Sequence, residues 1–114
     1  MMVGDATEWG EIRLEKLADL ASGDLTRATR ALLYLTYEDP DRRWLESLLL
    51  DQLKEGGDPQ LRSLAVTCMG HLGRIHGVIS DRIVACLEGL LGDPALEGIA
   101  EDALGDIRFF AHLE

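Results

Sequence analysis

The chain has 114 residues, with 21 acidic against 11 basic side chains and a formal net charge of −10. That length suits one domain with a modest core, and the charge argues against free nucleic acid as a partner, because phosphate binding needs the opposite sign. Hydrophobic residues, at 46%, are enough to drive folding; aromatics are only 5%, and Leu and Ala dominate the apolar set, which favours helix over sheet. No apolar run approaches the length of a membrane span, and the start, MMVGDATEWGE, has neither the basic region nor the apolar core of a signal peptide. Cys68 and Cys86 both fall at apolar helix positions and read as buried, reduced thiols of a cytoplasmic protein, with a disulfide between them left open.

Six helices are expected in chain order. The first runs from Thr7, a potential cap, to Ala21, with Trp9, Ile12, Leu17 and Leu20 on its apolar face and Gly23 ending it. The second spans Asp24 to about Tyr37, with Leu25, Ala28, Leu32 and Leu35 inward. Glu38-Asp39-Pro40-Asp41 is a turn and a new capped start. The third helix runs from Asp41 to Glu55, carries Trp44, Leu45, Leu48, Leu49 and Leu53, and is broken by Gly56-Gly57. The fourth follows Asp58-Pro59, where Asp can accept from the first free N–H groups and Pro loses nothing at the first helical position. Its stripe is Leu61, Leu64, Ala65, Cys68, Leu72 and Ile75, and Gly77 stops it. Ser80 or Asp81 caps the fifth, with Ile83, Val84, Leu87, Leu90 and Leu91 apolar. Gly92-Asp93-Pro94 turns into the sixth, which runs to about Phe110 and leaves a short tail, Ala111 to Glu114. No convincing strand is expected.

The fourth helix recurs. Shifted by 35 residues, Asp58-Pro59 falls on Asp93-Pro94, Leu61 on Leu96, Leu64 on Ile99, Ala65 on Ala100, Cys68 on Ala103, Met69 on Leu104, Gly70 on Gly105 and Leu72 on Ile107. A fixed period in this range marks a helical repeat, and small residues held mid-helix let neighbouring helices approach closely. The second helix aligns less well and reads as a divergent terminal repeat. Short linkers then make an all-α chain of three antiparallel helix pairs, residues 7–37, 40–76 and 80–111, in a single domain.

The run Asp58 to Ala65, Asp-Pro-x-Leu-Arg-x-x-Ala, resembles the second helix of a HEAT repeat. The Asp93 helix is similar, but Glu97 stands where Arg62 does, which departs from the Asp–Arg ladder of such repeats. Taken with Asp39 to Trp44, Cys68 to Gly77 and Glu101 to Leu104, the chain is similar to small bacterial HEAT-like proteins, over roughly residues 38 to 110. Some of these look like immunity proteins of contact-dependent or other polymorphic toxin systems. The resemblance implies a right-handed α-solenoid that binds a protein, and, for an immunity protein, a toxin domain whose active site it blocks.

In such stacks the second helices line the concave side, where partners dock. The 35-residue register sets His71 beside Asp106 and Thr67 beside Asp102, all off the apolar stripe. The expected partner-binding strip is therefore Thr67, His71 and Arg74 on one helix and Glu101, Asp102 and Asp106 on the next, bordered by Arg43 and Trp44. The alternative role of His71 and Asp106 is to hydrogen-bond and hold the stack together.

Metal and catalytic chemistry have little support. His71 and His76 are five apart and do not share a helix face, and neither cysteine has a Cys-x-x-Cys partner, so no metal site is expected. His76 sits where a cation is favoured at a helix end. Gly70, Gly73 and Gly77 lie in or end a helix rather than follow a strand, so they are not a phosphate loop, and no Gly-x-Ser-x-Gly elbow occurs. No cofactor and no enzymatic activity are expected. From Val78 to Glu114 there are eight acids and two arginines, a net of −6, which suits a basic protein partner such as a nuclease toxin. An adaptor or assembly subunit that docks a cellular protein or pairs with itself is the other reading, and the oligomeric state stays open.

Overall fold

The structure, a computed structural model, describes residues 6–114, with side chains from Glu8 onward. It is all-α and repeat-like: the described residues form six helices and two very short strands, grouped in two compact units that divide after Asp39.

The first unit is a helical hairpin of α1 (Ala6–Leu20) and α2 (Leu25–Glu38). Thr7 lies within α1, and its side chain falls outside the described residues. Asp24 caps α2 by accepting from the Arg27 N–H at 3.1 Å. Three contacts climb the hairpin in opposite senses, which makes it antiparallel. Arg27 bonds Asp19 at 2.7 Å, Lys16 lies 4.5 Å from the centre of the Tyr34 ring, and Arg13 grips Asp39 through Nε and a terminal nitrogen at 2.6 and 2.7 Å. Asp39 is buried, so this two-pronged grip compensates the loss of water around its carboxylate. Thr36, also buried, donates to the Leu32 carbonyl one turn back.

The second unit holds α3 (Arg42–Asp51), α4 (Pro59–His76), β1 (Val78–Ile79), α5 (Asp81–Leu90), α6 (Glu97–Phe110) and β2 (His112–Leu113). Asp41 caps α3 through the Trp44 N–H. The helix stops at Asp51, short of Glu55, because the next N–H groups bond three residues back, Gln52 to Leu49 and Leu53 to Leu50, and tighten the chain into turns. Asp58 accepts from the N–H groups of Gln60 and Leu61, Pro59 opens α4, and Gly77 closes it at φ 71°, the left-handed conformation that glycine adopts without strain.

The second Asp-Pro start behaves differently. Asp93 accepts from the Ala95 N–H through its side chain and from Leu96 and Glu97 through its carbonyl, making a turn, and α6 begins only at Glu97. Ser80 occupies the cap position of α5 without capping it, since its hydroxyl is engaged elsewhere.

The core of this unit is the seam of α4 against α6, its most extensive helix pair. Ala65, Val66, Met69 and Leu72 from α4 and Ala100, Ala103, Leu104 and Ile107 from α6 are buried. Each large aliphatic side chain contributes roughly 1.5–3 kcal/mol on burial. Ile75, placed on the apolar stripe from sequence, is instead 41% exposed; it lies at the last turn, where the stripe has rotated past the seam. Gly70 faces Ala103 and Gly73 faces Ile107, so the contacts advance in the same direction and the two helices are parallel.

The strands correct the expectation that the chain holds no strand. His112 N–H donates to the Gly77 carbonyl at 3.0 Å and Glu114 N–H to the Ile79 carbonyl at 2.9 Å, pairing β1 and β2 in parallel with Val78 opposite His112. Two residues are too few to show the period of two by which a strand is read from sequence. The pairing exists because parallel α4 and α6 end level and deliver both segments side by side. The offset of 34 between Val78 and His112 lies one residue from the sequence repeat.

Candidate functional site

The α4–α6 seam brings together three of the strip residues. His71 is half-buried, and its Nδ1 meets a terminal nitrogen of Arg74 at 2.8 Å, one turn further along the helix. Asp106 lies across the seam, close enough to act on His71 electrostatically, and its Oδ2 stands 3.4 Å from where a Gly70 Cβ would be. Partial burial lowers the His71 pKa below the ordinary 6.5; the Arg74 charge lowers it further, and Asp106 pulls the other way. The imidazole is thus biased towards its neutral form, an acceptor for the Arg74 guanidinium.

Thr67 and Asp102 continue this strip towards the helix N-termini, one half-buried and the other exposed. Glu101 points elsewhere. With Glu97, Gly98 and Leu91 it lines a shallow hollow of about 360 Å³. The two adjacent carboxylates diverge because successive helical residues are 100° apart.

Arg43 and Trp44, expected at the border of the strip, lie on α3. Arg43 is exposed on α3 and bonds Glu114 through both Nε, at 3.1 Å, and a terminal nitrogen. Trp44 is half-buried beside it in sequence. Through Glu114, Arg43 joins an ionic cluster that the sequence did not reveal. Its centre is Glu46, fully buried on α3. One carboxylate oxygen accepts from Arg42 at 2.5 Å and from the Ser80 N–H at 3.0 Å; the other accepts from Arg82 at 3.4 Å. Arg42 also bonds the Ser80 hydroxyl, and Ser80 donates in turn to Glu114 at 3.1 Å. A terminal nitrogen of Arg42 pairs with Glu114 at 2.9 Å. Bonds from Arg43 and Arg42 hold the Glu114 carboxyl down at about 2. The available signal was Glu46 four residues after Arg42, an ion-pair spacing, on the apolar side of its helix between Leu45 and Leu48. Both oxygens of Glu46 are occupied, so the cluster ties α3 to the start of α5 and to the residue after β2 rather than presenting a reactive group.

The remaining candidates are less organised. Neither Cys68 nor Cys86 forms a disulfide, and burial pushes the Cys86 thiol up, away from a reactive thiolate. His76 closes α4 and is half-buried. Among the described residues no group of three or more His, Cys, Asp or Glu could hold a metal ion, and no helix is long and apolar enough to cross a membrane.

No family model and no curated protein matches this sequence. A solved structure does. The chain is 37% identical, with a TM-score of 0.77, to a chain in the crystal structure of a CDI (contact-dependent inhibition) complex from Cupriavidus taiwanensis LMG 19424. The match covers 85% of this chain and 86% of that one. This chain belongs to the same family as that CDI-complex protein. The likeness spans nearly the whole of both chains, so it takes in both units and not the repeat region alone.

Proposed function

We propose that this chain is the immunity-type member of a contact-dependent inhibition pair, a protein that binds a cognate toxin domain and blocks it without catalysing a reaction. The observation that carries this is the likeness to a chain of a CDI complex at 37% identity over 86% of that chain. Charge supports the inhibitory role. A chain of net −10 is poorly suited to act on nucleic acid itself, but its carboxylates can stand in for phosphates in the active site of a basic nuclease toxin. The proposed contact surface is the polar strip of Thr67, His71, Arg74, Asp102 and Asp106, with Glu101 beside it and Arg43 and Trp44 at its border, on a HEAT-like stack acting in the cytoplasm.

The test is co-expression with the toxin domain encoded beside this gene. Protection of cells from that toxin, together with a one-to-one complex on gel filtration, is the expected result. Undiminished killing with the chain present and folded excludes the immunity role.

A further inference from the structure

On that reading, one helix face stands out as unused by the fold. Gly98, Asp102, Gly105 and Phe109 follow one another on α6 at steps of four, three and four, which places them on a single face. All four are exposed, Phe109 at 80%. The repeat shows what such a face does elsewhere in the unit. Gly70 on α4 is filled by Ala103, whereas at Gly105, 35 residues later, an added Cβ would meet no atom within 4 Å. The Phe109 ring meets Phe110, itself 47% exposed, edge-on with the ring centres 4.7 Å apart. Apolar side chains clustered at the end of an uncovered helix mark a docking surface rather than a solvated one.

Charge selects the occupant. Glu101 and Asp102 are exposed beside the glycines, and residues 78–114 carry a net of −6. A second copy would bring a chain of net −10 against this acidic segment, at a repulsive cost, while a cationic protein surface is drawn to it. We infer that the toxin-docking surface extends from the polar strip over the outer face of α6, where a basic segment of the toxin pairs a Lys or Arg side chain with Asp102 and packs an apolar residue on Phe109 and Phe110. The two glycines let that segment approach the α6 backbone, as Ala103 approaches Gly70.

Gly105 allows a clean test. Space is open there and glycine is a poor helix former, so Gly105→Arg keeps the fold while adding bulk and a repelling charge. The affinity of the catalytically inactivated neighbouring toxin domain is measured for the wild type, Gly105→Arg, Phe109→Ala, and Thr26→Arg on α2 as a charge-matched control, with Tm for each. The expected result is a loss of more than about tenfold for Gly105→Arg and Phe109→Ala, with Tm unchanged and Thr26→Arg binding as the wild type. Wild-type affinity in both α6 variants overturns the docking face and leaves the immunity reading standing. Failure of the wild type to bind overturns that reading and this inference with it. Sedimentation completes the comparison: a dimer broken by Gly105→Arg, with toxin affinity intact, assigns the face to a second copy and overturns the proposal.

Discussion

Gly70 of α4 meets Ala103 of α6 so closely that a Cβ at position 70 would lie 3.0 Å from the Ala103 Cα. The neighbour is backbone and cannot swing aside, and Gly73 repeats the situation at 2.8 Å from Cγ1 of the buried Ile107. Seam packing and helix propensity therefore pull in opposite directions along these helices. Gly70→Ala is expected to destabilise the protein by about 1–3 kcal/mol through overpacking, despite its better helix propensity. Gly105→Ala, with nothing to strike, is expected to stabilise by up to about 1 kcal/mol. Urea midpoints of the two variants check the contrast, and equal shifts in one direction would show that the seam is not closed at Gly70.

Glu46 offers a larger effect. Removing its carboxylate takes from Arg42, which is 10% exposed, one of its two carboxylate partners and leaves the Ser80 N–H without its acceptor. Breaking one side of a buried ion pair costs up to about 3–5 kcal/mol, and Arg42 keeps Glu114, so Glu46→Ala should lower the urea midpoint by somewhat less than that. The double variant Glu46→Leu with Arg42→Met removes both charges and should recover part of that loss. Additive losses in the double variant would mean that the two side chains do not act as a pair.

Acid should loosen the Glu114 attachment. Its carboxyl is held at about 2, below the ordinary 4.5, so the unfolded chain takes up this proton first as pH falls. The stabilisation is fully present above about 4.5 and is lost as pH drops through about 2. Unfolding followed between pH 5 and 2 should show a Glu114→Gln variant with a shallower decline than the wild type.

His71 titrates in a different window. Its folded pKa lies below 6.5, so the unfolded chain again binds the proton first, and stability falls as pH drops from about 6.5 through the folded value. A histidine NMR titration should place His71 below the ordinary value. In Arg74→Ala its midpoint should move up, because a repelling charge is gone, and in Asp106→Asn it should move down, because an attracting one is.

Much of this could be read along the chain. Asp24, Asp41 and Asp58 announce helix starts, Gly77 a helix end, and the 35-residue recurrence anticipates that α4 and α6 lie side by side and parallel. It also placed His71 near Asp106. These are local or periodic signals, set by caps, by the helical repeat and by the size of one side chain. Sequence could not show that Asp93 would close a turn and delay α6 to Glu97, since the same two residues begin α4.

The acidity of the chain, its six helices and the register of the seam were determined by the sequence alone, because each follows from residue type or from spacing within a repeat. Tertiary structure decided the rest. It buried Glu46 among arginines from α3 and α5, drew Glu114 and Arg43 into the same cluster, and paired the tail with β1. It also filled Gly70 while leaving Gly105 open, although the two are equivalent in the repeat. Those outcomes join residues as many as 71 positions apart. No periodicity encodes such distances; they depend on which helix ends arrive level and which helix face finds a neighbour.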